Sequence, residues 1–254
     1  MNQNLIYSAK VTDDYLLGGN IHLRQPKIGY RVSIDTILLA AAVPAKENEL
    51  VLELGSGTGA AAICLQYRVR NCMVIGLEND SNMLALARQN VLLNGFEKRV
   101  TFVEGSVSNL PNEIGKESFD HVLSNPPYLN RKRADLRENG NIRSNIANVE
   151  NDADLSQWIR SMSVSLKPKG RLTLIHRADR LDEVLNEVRR YAGEIVVYPL
   201  WPKLGYKANR VLVSARKNVS TPLRISSGLV LHTKDGKYTR VVKNVLEKGE
   251  ALSI

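Results

Sequence analysis

The residues best suited to chemistry lie in the pentapeptide Ser124-Asn125-Pro126-Pro127-Tyr128. Two prolines fix the backbone and remove two amide donors, so the carbonyls of the turn stay available as acceptors. Asn125 adds a side-chain carbonyl. Such a turn accepts both protons of a planar –NH2 group and holds the nitrogen lone pair toward an electrophile, while Tyr128 can stack on the plane of that group. Asn125, Pro126 and Tyr128 are therefore the candidate catalytic residues. The plainer alternative is a tight Pro-Pro turn capped by Asn. It loses weight because the motif directly follows a candidate strand and stands some 70 residues beyond a glycine loop.

That loop is Val51-Leu52-Glu53-Leu54-Gly55-Ser56-Gly57-Thr58-Gly59, an apolar run ending in glycines at alternate positions and followed by a helical segment from Ala60 to Val69. Gly55, Gly57 and Gly59 let the backbone approach a ligand closely and leave a helix N-terminus facing it. The bare pattern also fits a dinucleotide fingerprint, Gly55-x-Gly57-x-x-Ala60, or a structural turn. A phosphate loop of the Walker type is excluded, since no Gly-Lys-Ser/Thr follows. Glu78 ends the next apolar run, 19 residues after Gly59, where a carboxylate can accept from two ribose hydroxyls. Glu53, ahead of the glycines, suits a ligand carrying an ammonium and a sulfonium better than one carrying a pyrophosphate. This selects S-adenosylmethionine over a dinucleotide as the expected cofactor.

The elements that must position these residues follow from hydrophobic patterning. Candidate strands are Leu50–Leu54, Met73–Leu77, Val100–Val103, Phe119–Ser124, Arg171–Ile175, Glu194–Tyr198 and Arg210–Ser214. Several are near-continuous apolar runs, as in parallel strands covered on both faces. Leu181, Val184, Leu185, Val188 and Tyr191 form a helical stripe, as do Leu155, Trp158, Ile159 and Met162. Lys167-Pro168-Lys169-Gly170 should stop the latter helix. Ser33 can cap another, over Ile34, Ile37, Leu38 and Ala41. The alternation predicts an α/β fold: a doubly wound, mostly parallel, seven-stranded Rossmann-like sheet with helices on both faces and ligands at the carboxyl ends of the strands. The expected organisation is an N-terminal extension over 1–48, a core over 49–217 and a basic C-terminal extension over 218–254.

"LELGSGTG", Glu78 and "SNPPY", in this order, resemble class I S-adenosylmethionine-dependent methyltransferases that modify exocyclic or amide nitrogens. The closer resemblance is to the bacterial tRNA(Val) adenine N6-methyltransferases, through the run beginning "TDDYLLGGN" at Thr12 and through "ANRVLVSARK" at 208–217. It implies methyl transfer from S-adenosylmethionine to an adenine beside the anticodon. Glu53, Gly55, Gly57, Gly59, Glu78, Ser106 and Asn125 would hold the cofactor. Ser106 stands in "VEGS" where the wider class often carries an acidic residue near the cofactor adenine. The resemblance also puts Tyr30, Arg31 and Asp35 near the site; a simple amphipathic cover for the sheet accounts for that segment equally well. Asn-Pro-Pro-Tyr is shared with DNA adenine methylases and release-factor glutamine methyltransferases. A protein-glutamine N5-methyltransferase is thus the enzymatic rival, disfavoured because those enzymes look to carry a longer N-terminal recognition domain. An RNA-binding protein on a methyltransferase scaffold is the non-catalytic one.

Composition bounds the remaining classes. The chain has 254 residues, 43% hydrophobic and 24% charged, with no apolar run near the roughly 20 residues that span a bilayer. No basic segment followed by an apolar stretch opens it, so a cytoplasmic protein without membrane association is expected. Cys64 and Cys72 have no metal spacing and read as core thiols, and His22, His121, His176 and His232 show no ligand pattern, so no metal is expected. Net charge is +9, of which residues 201–254, with 11 basic and 3 acidic side chains, supply +8. Residues 49–130, with 6 basic and 9 acidic, sum to −3. This division suits a polyanion held by a basic flank while a less basic pocket receives one base, and tRNA is the expected partner. Lys203, Lys207 and Arg224 are candidate phosphate contacts, as are Arg131, Lys132 and Arg133 in a segment, 131–143, poor in large apolar side chains.

Overall fold

The computed structural model describes residues 11–29, 31–128 and 153–254. Tyr30, Arg131, Lys132 and Arg133 lie outside the described residues.

All seven expected strands form: β3 (Leu50–Leu54), β4 (Met73–Glu78), β5 (Val100–Glu104), β6 (Phe119–Ser124), β7 (Leu166–Arg177), β8 (Ala192–Trp201) and β9 (Arg210–Lys217). They join one sheet in the order β8-β9-β7-β6-β3-β4-β5. Two short strands, β10 (Arg224–Ile225) and β11 (Leu229–Val230), extend it by pairing with β8. β9 runs antiparallel to β7 and β8; the other neighbours pair in parallel. β3 has β4 on one side and β6 on the other, so the chain reverses its direction of travel there. A crevice opens at that point beyond the carboxyl ends of the strands.

Helices cover both faces because the strands are apolar on both. On one side, α1 (Ile34–Ala42), α2 (Ala60–Arg68), α3 (Ser81–Leu93) and α6 (Arg240–Lys248) pack into one cluster with Val51, Val74 and Leu123. On the other, α4 (Leu155–Ser165) and α5 (Leu181–Val188) bury Trp158, Ile159, Met162, Val184 and Val188 against Leu52, Leu54 and Val122. Both thiols are buried, and burial pushes Cys64 up to about 12 and Cys72 up to about 11, as core thiols require.

Local sequence explains the helix ends. Ser33 accepts from the Asp35 amide at the start of α1, and Asp154 forms a reciprocal capping box with Gln157 at the start of α4. Lys167–Gly170 follows directly on α4 but is no loop. β7 already begins at Leu166, with Lys169 at φ 65° and a register shift opposite Phe119 and His121. The segment is a bulge in an early-starting strand.

Residues 11–26 form a separate antiparallel hairpin of β1 (Val11–Leu16) and β2 (Ile21–Pro26). Two side-chain amides strap it to α3, Asn90 buried within the helix and Asn94 half-buried at its end. Asn90 exchanges bonds with the Arg24 backbone at 2.7 and 2.9 Å, and Asn94 does so with that of His22 at 3.0 and 2.7 Å. Asn90 also donates to the Thr58 carbonyl at 2.9 Å, so the hairpin braces the glycine loop. Arg31 belongs to this brace: it bonds Thr12, Asp14 and the Pro26 carbonyl.

Candidate active site

The carboxyl ends of β3, β4, β5 and β6 gather the sequence-predicted residues. Gly55, Gly57 and Gly59 take φ of 69°, 55° and 82°, in the left-handed region that a side chain resists. They fold the loop back onto β4, where Gly55 and Ser56 donate to the Leu77 carbonyl at 2.9 and 3.0 Å. Gly59 donates to the Ser56 carbonyl at 2.8 Å, and Gly57 to Glu78 Oε2 at 2.6 Å. Four loop amides are therefore already committed within the protein. A pyrophosphate would need those donors; a ligand that requires only close backbone approach does not.

Glu78 is 8% exposed. Its Oε1 accepts from the amides of Asn79 at 3.0 Å and Asp80 at 2.9 Å, leaving one of the carboxylate's roughly four lone-pair positions open, on Oε2. Burial raises its pKa against the pull of these amides. Ser106 follows β5 and bonds Ser108 through both its hydroxyl contacts, at 2.8 and 3.1 Å. Glu53 lies beneath the loop, 4% exposed, and its Oε2 accepts from the Ala62 amide at 2.9 Å. It supports the start of α2 from below.

Burial, with the nearby Glu78 charge, pushes Glu53 up to about 8 against the lowering effect of the Ala62 amide. Folded protein then holds a proton there that the unfolded chain releases above the ordinary carboxylate range. Stability should fall as pH rises from that range through about 8. Glu53→Gln keeps an acceptor for Ala62 and removes the titration. Melting temperatures at pH 6 and pH 8.5 should differ less in this variant than in the wild type; an unchanged difference would remove Glu53 as the cause.

The second half of the site begins at Ser124, whose Oγ donates to the Leu54 carbonyl at 2.8 Å and ties the end of β6 to that of β3. Pro126 is buried and Asn125 half-buried. The Tyr128 hydroxyl sits 2.6 Å from Asn125 Oδ1 and 3.2 Å from Asp35 Oδ2. It has one proton to give, and the shorter contact takes it. Arg210 binds Asp35 Oδ2 through Nε at 2.9 Å and lays its guanidinium 4.6 Å from the centroid of the Tyr128 ring. Arg180, 4% exposed and forked onto Glu183, donates to the Tyr128 carbonyl at 3.0 Å. His176 meets the same ring edge-on at 5.5 Å. Burial, then the Arg180 charge, pushes it down to about 4, so it is neutral at physiological pH.

Asp35 thus stands at the site, whereas Arg31 faces the hairpin. Lys203, half-buried, and Lys207, exposed, lie on the β8–β9 loop, at the same carboxyl edge as Tyr128. Arg224 pairs beside Val196, about 16 Å back along β8 from Trp201, and donates to the Ile254 carbonyl. It lies apart from the two lysines. Arg210, Arg180 and His176 escaped the sequence reading of the site. A signal existed for Arg210: it opens the strand that runs antiparallel to its neighbours, and such a strand starts at the edge where the others end.

Among the described residues no group of three or more His, Cys, Asp or Glu is placed to hold a metal, and no helix is long and apolar enough to cross a membrane.

A doubly wound sheet with a glycine loop after β3, an acidic residue ending β4 and an Asn-Pro-Pro-Tyr turn after β6 is the frame of a methyltransferase, a class that uses a methyl donor of the S-adenosylmethionine type. Residues 45–215 match the family model described as a methyltransferase domain, and the chain belongs to that family. It is 28% identical over 221 residues to an Aeromonas salmonicida protein named tRNA1(Val) (adenine(37)-N6)-methyltransferase, covering 86% of this chain and 89% of that one. A Porphyromonas gingivalis protein of the same name is 33% identical over 169 residues, 64% of this chain and 63% of the relative. Among solved structures, a predicted O-methyltransferase from Agrobacterium tumefaciens superposes with a TM-score of 0.73 at 24% identity, over 87% of this chain and 99% of that one. An O-methyltransferase from Thermotoga maritima gives 0.54 at 17%, over 76% and 68%. At these identities the two structures bear on the fold alone.

Proposed function

We propose that this enzyme transfers a methyl group from S-adenosyl-L-methionine to the exocyclic N6 of an adenine in tRNA, the adenine beside the anticodon of tRNA(Val). The observation that carries the chemistry is the Asn125–Tyr128 turn fastened beside the glycine loop by the Ser124–Leu54 bond. The relatives' names, adenine(37)-N6, agree with a turn built to accept an –NH2 group.

When bound, the cofactor supplies a methyl group already activated on a sulfonium. One ribose hydroxyl would take the open position on Glu78 Oε2, and the second would compete with the Gly57 amide for the other. Gly55, Gly57 and Gly59 allow the close approach, Glu53 steadies the loop from below, and Ser106 offers a hydroxyl at the end of β5. The target adenine lies against Tyr128. Its two N6–H groups donate to Asn125 Oδ1, whose second lone pair is beside the one that takes the Tyr128 hydroxyl, and to a turn carbonyl around Pro126. The nitrogen lone pair then points along the line of attack, and positioning supplies much of the rate. No base is needed beforehand, because the amine loses its proton with or after bond formation; neutral His176 and the ion-paired Asp35 agree with this.

Lys203 and Lys207 act on the tRNA phosphates. Titrations with tRNA at several salt concentrations should show a steep wild-type dependence. In the Lys203→Glu, Lys207→Glu variant the slope of log affinity against log salt should fall by about 0.7 to 0.9 for each phosphate that is no longer neutralised, while S-adenosylmethionine affinity holds. Equal slopes in the two proteins would remove these lysines from the RNA path, and wild-type indifference to tRNA would overturn the substrate.

A further inference from the structure

With the β3–β5 half of the carboxyl edge given to the cofactor residues, the described surface beside Tyr128 that is left for a polynucleotide runs across β7, β9 and β8. That side of the edge is continuous. Arg180 bonds the Tyr128 carbonyl, and Ala178, two residues before it, donates to the Asn209 carbonyl at the end of the β8–β9 loop. At the loop's other end, His232 donates through its backbone to the Pro202 carbonyl at 3.0 Å, joining the loop to the turn at 231–239. From β6 to β11 the path crosses four strand spacings, about 19 Å, or the length of about six stacked nucleotides.

Exposed rings stand among lysines along this path. Tyr206 is 64% exposed on the β8–β9 loop between Lys203 and Lys207. Tyr238 is 42% exposed and stacks on His232, centroids 4.9 Å apart, with Lys237 beside it. Aromatic faces interleaved with ammonium groups are what unpaired nucleotides require, since every base offers a π-face and every step a phosphate.

We propose that the β8–β9 loop and the 231–239 turn form a second RNA site, in which Tyr206 and the His232–Tyr238 pair stack unpaired bases on one side of the adenine held at Asn125. The site rests on the reading of RNA as substrate and adds where the strand runs and what holds it. It binds without reacting, so its loss acts on RNA affinity and KM.

The test compares wild type with the double variants Tyr206→Ala, Tyr238→Ala and Tyr206→Phe, Tyr238→Phe, using a tRNA transcript and a single-stranded RNA carrying one adenine and a 2-aminopurine about three to six nucleotides away. Unchanged S-adenosylmethionine affinity reports intact folding in each. The alanine pair should weaken RNA binding and raise KM for RNA about tenfold, with kcat within about twofold, and should abolish the 2-aminopurine quenching seen with wild type. The phenylalanine pair should retain all three. If wild type binds and methylates RNA but the alanine pair matches it in affinity and quenching, the second site is overturned and the activity stands, as it would if this surface served an acidic protein. If wild type neither binds nor methylates RNA, the substrate reading falls and takes the site with it.

Discussion

Asn125→Ala should lower kcat by about two to three orders of magnitude and leave S-adenosylmethionine affinity within about twofold of wild type. The loss falls on orientation: without Oδ1 the amine has one acceptor fewer, and its lone pair is no longer held on the line of attack. The Tyr128 hydroxyl, now 2.6 Å from Oδ1, would turn to Asp35 Oδ2, already 3.2 Å away, so the turn itself should survive. Tyr128→Phe keeps the ring between Arg210 and His176 and should cost far less than Tyr128→Ala, which removes the stacking face. Single-turnover rates with saturating RNA and cofactor measure the effect. Equal rates in wild type and Asn125→Ala would take the turn out of the mechanism.

Gly57→Val should abolish measurable S-adenosylmethionine binding. A β-branched residue does not adopt φ 55° without strain, and relaxing the loop pulls the Gly57 amide off Glu78. Glu78→Ala should weaken binding by about 1.5 to 3 kcal/mol, the contribution of a charged hydrogen bond, and Glu78→Gln by less, since one acceptor oxygen remains. Calorimetry decides this. Wild-type affinity in Gly57→Val, or a preference of the wild type for NAD, would overturn the cofactor assignment.

The parts of this enzyme legible in the sequence are those written in contiguous residues. β3 and β6 match their expected bounds because each is a short run of strand-forming residues closed by its own glycine or proline turn, and both are buried on two faces. β7 begins five residues earlier than the expected Arg171, because a Pro-Gly pair signals a helix stop equally well when the chain goes on as a bulged strand. β10 and β11 carry two residues each, too few for any period to show. The Asp35–Arg210 pair joins residues 175 apart, and only the strand order brings them together over Tyr128. Asp35 came to notice through a family likeness that named Arg31 equally. The fold separates them, since Asp35 lies on the first turn of α1 toward the sheet edge while Arg31 reaches back to the hairpin.

The central claim, methyl transfer to adenine N6 in tRNA, is tested most directly by incubating the purified protein with tRNA and methyl-labelled S-adenosylmethionine, then identifying the labelled nucleoside and its position by mass spectrometry. The account predicts label in N6-methyladenosine alone, at one adenine beside the anticodon, in wild type and not in Asn125→Ala. Label in another nucleoside, or on a protein glutamine with none in tRNA, would contradict it.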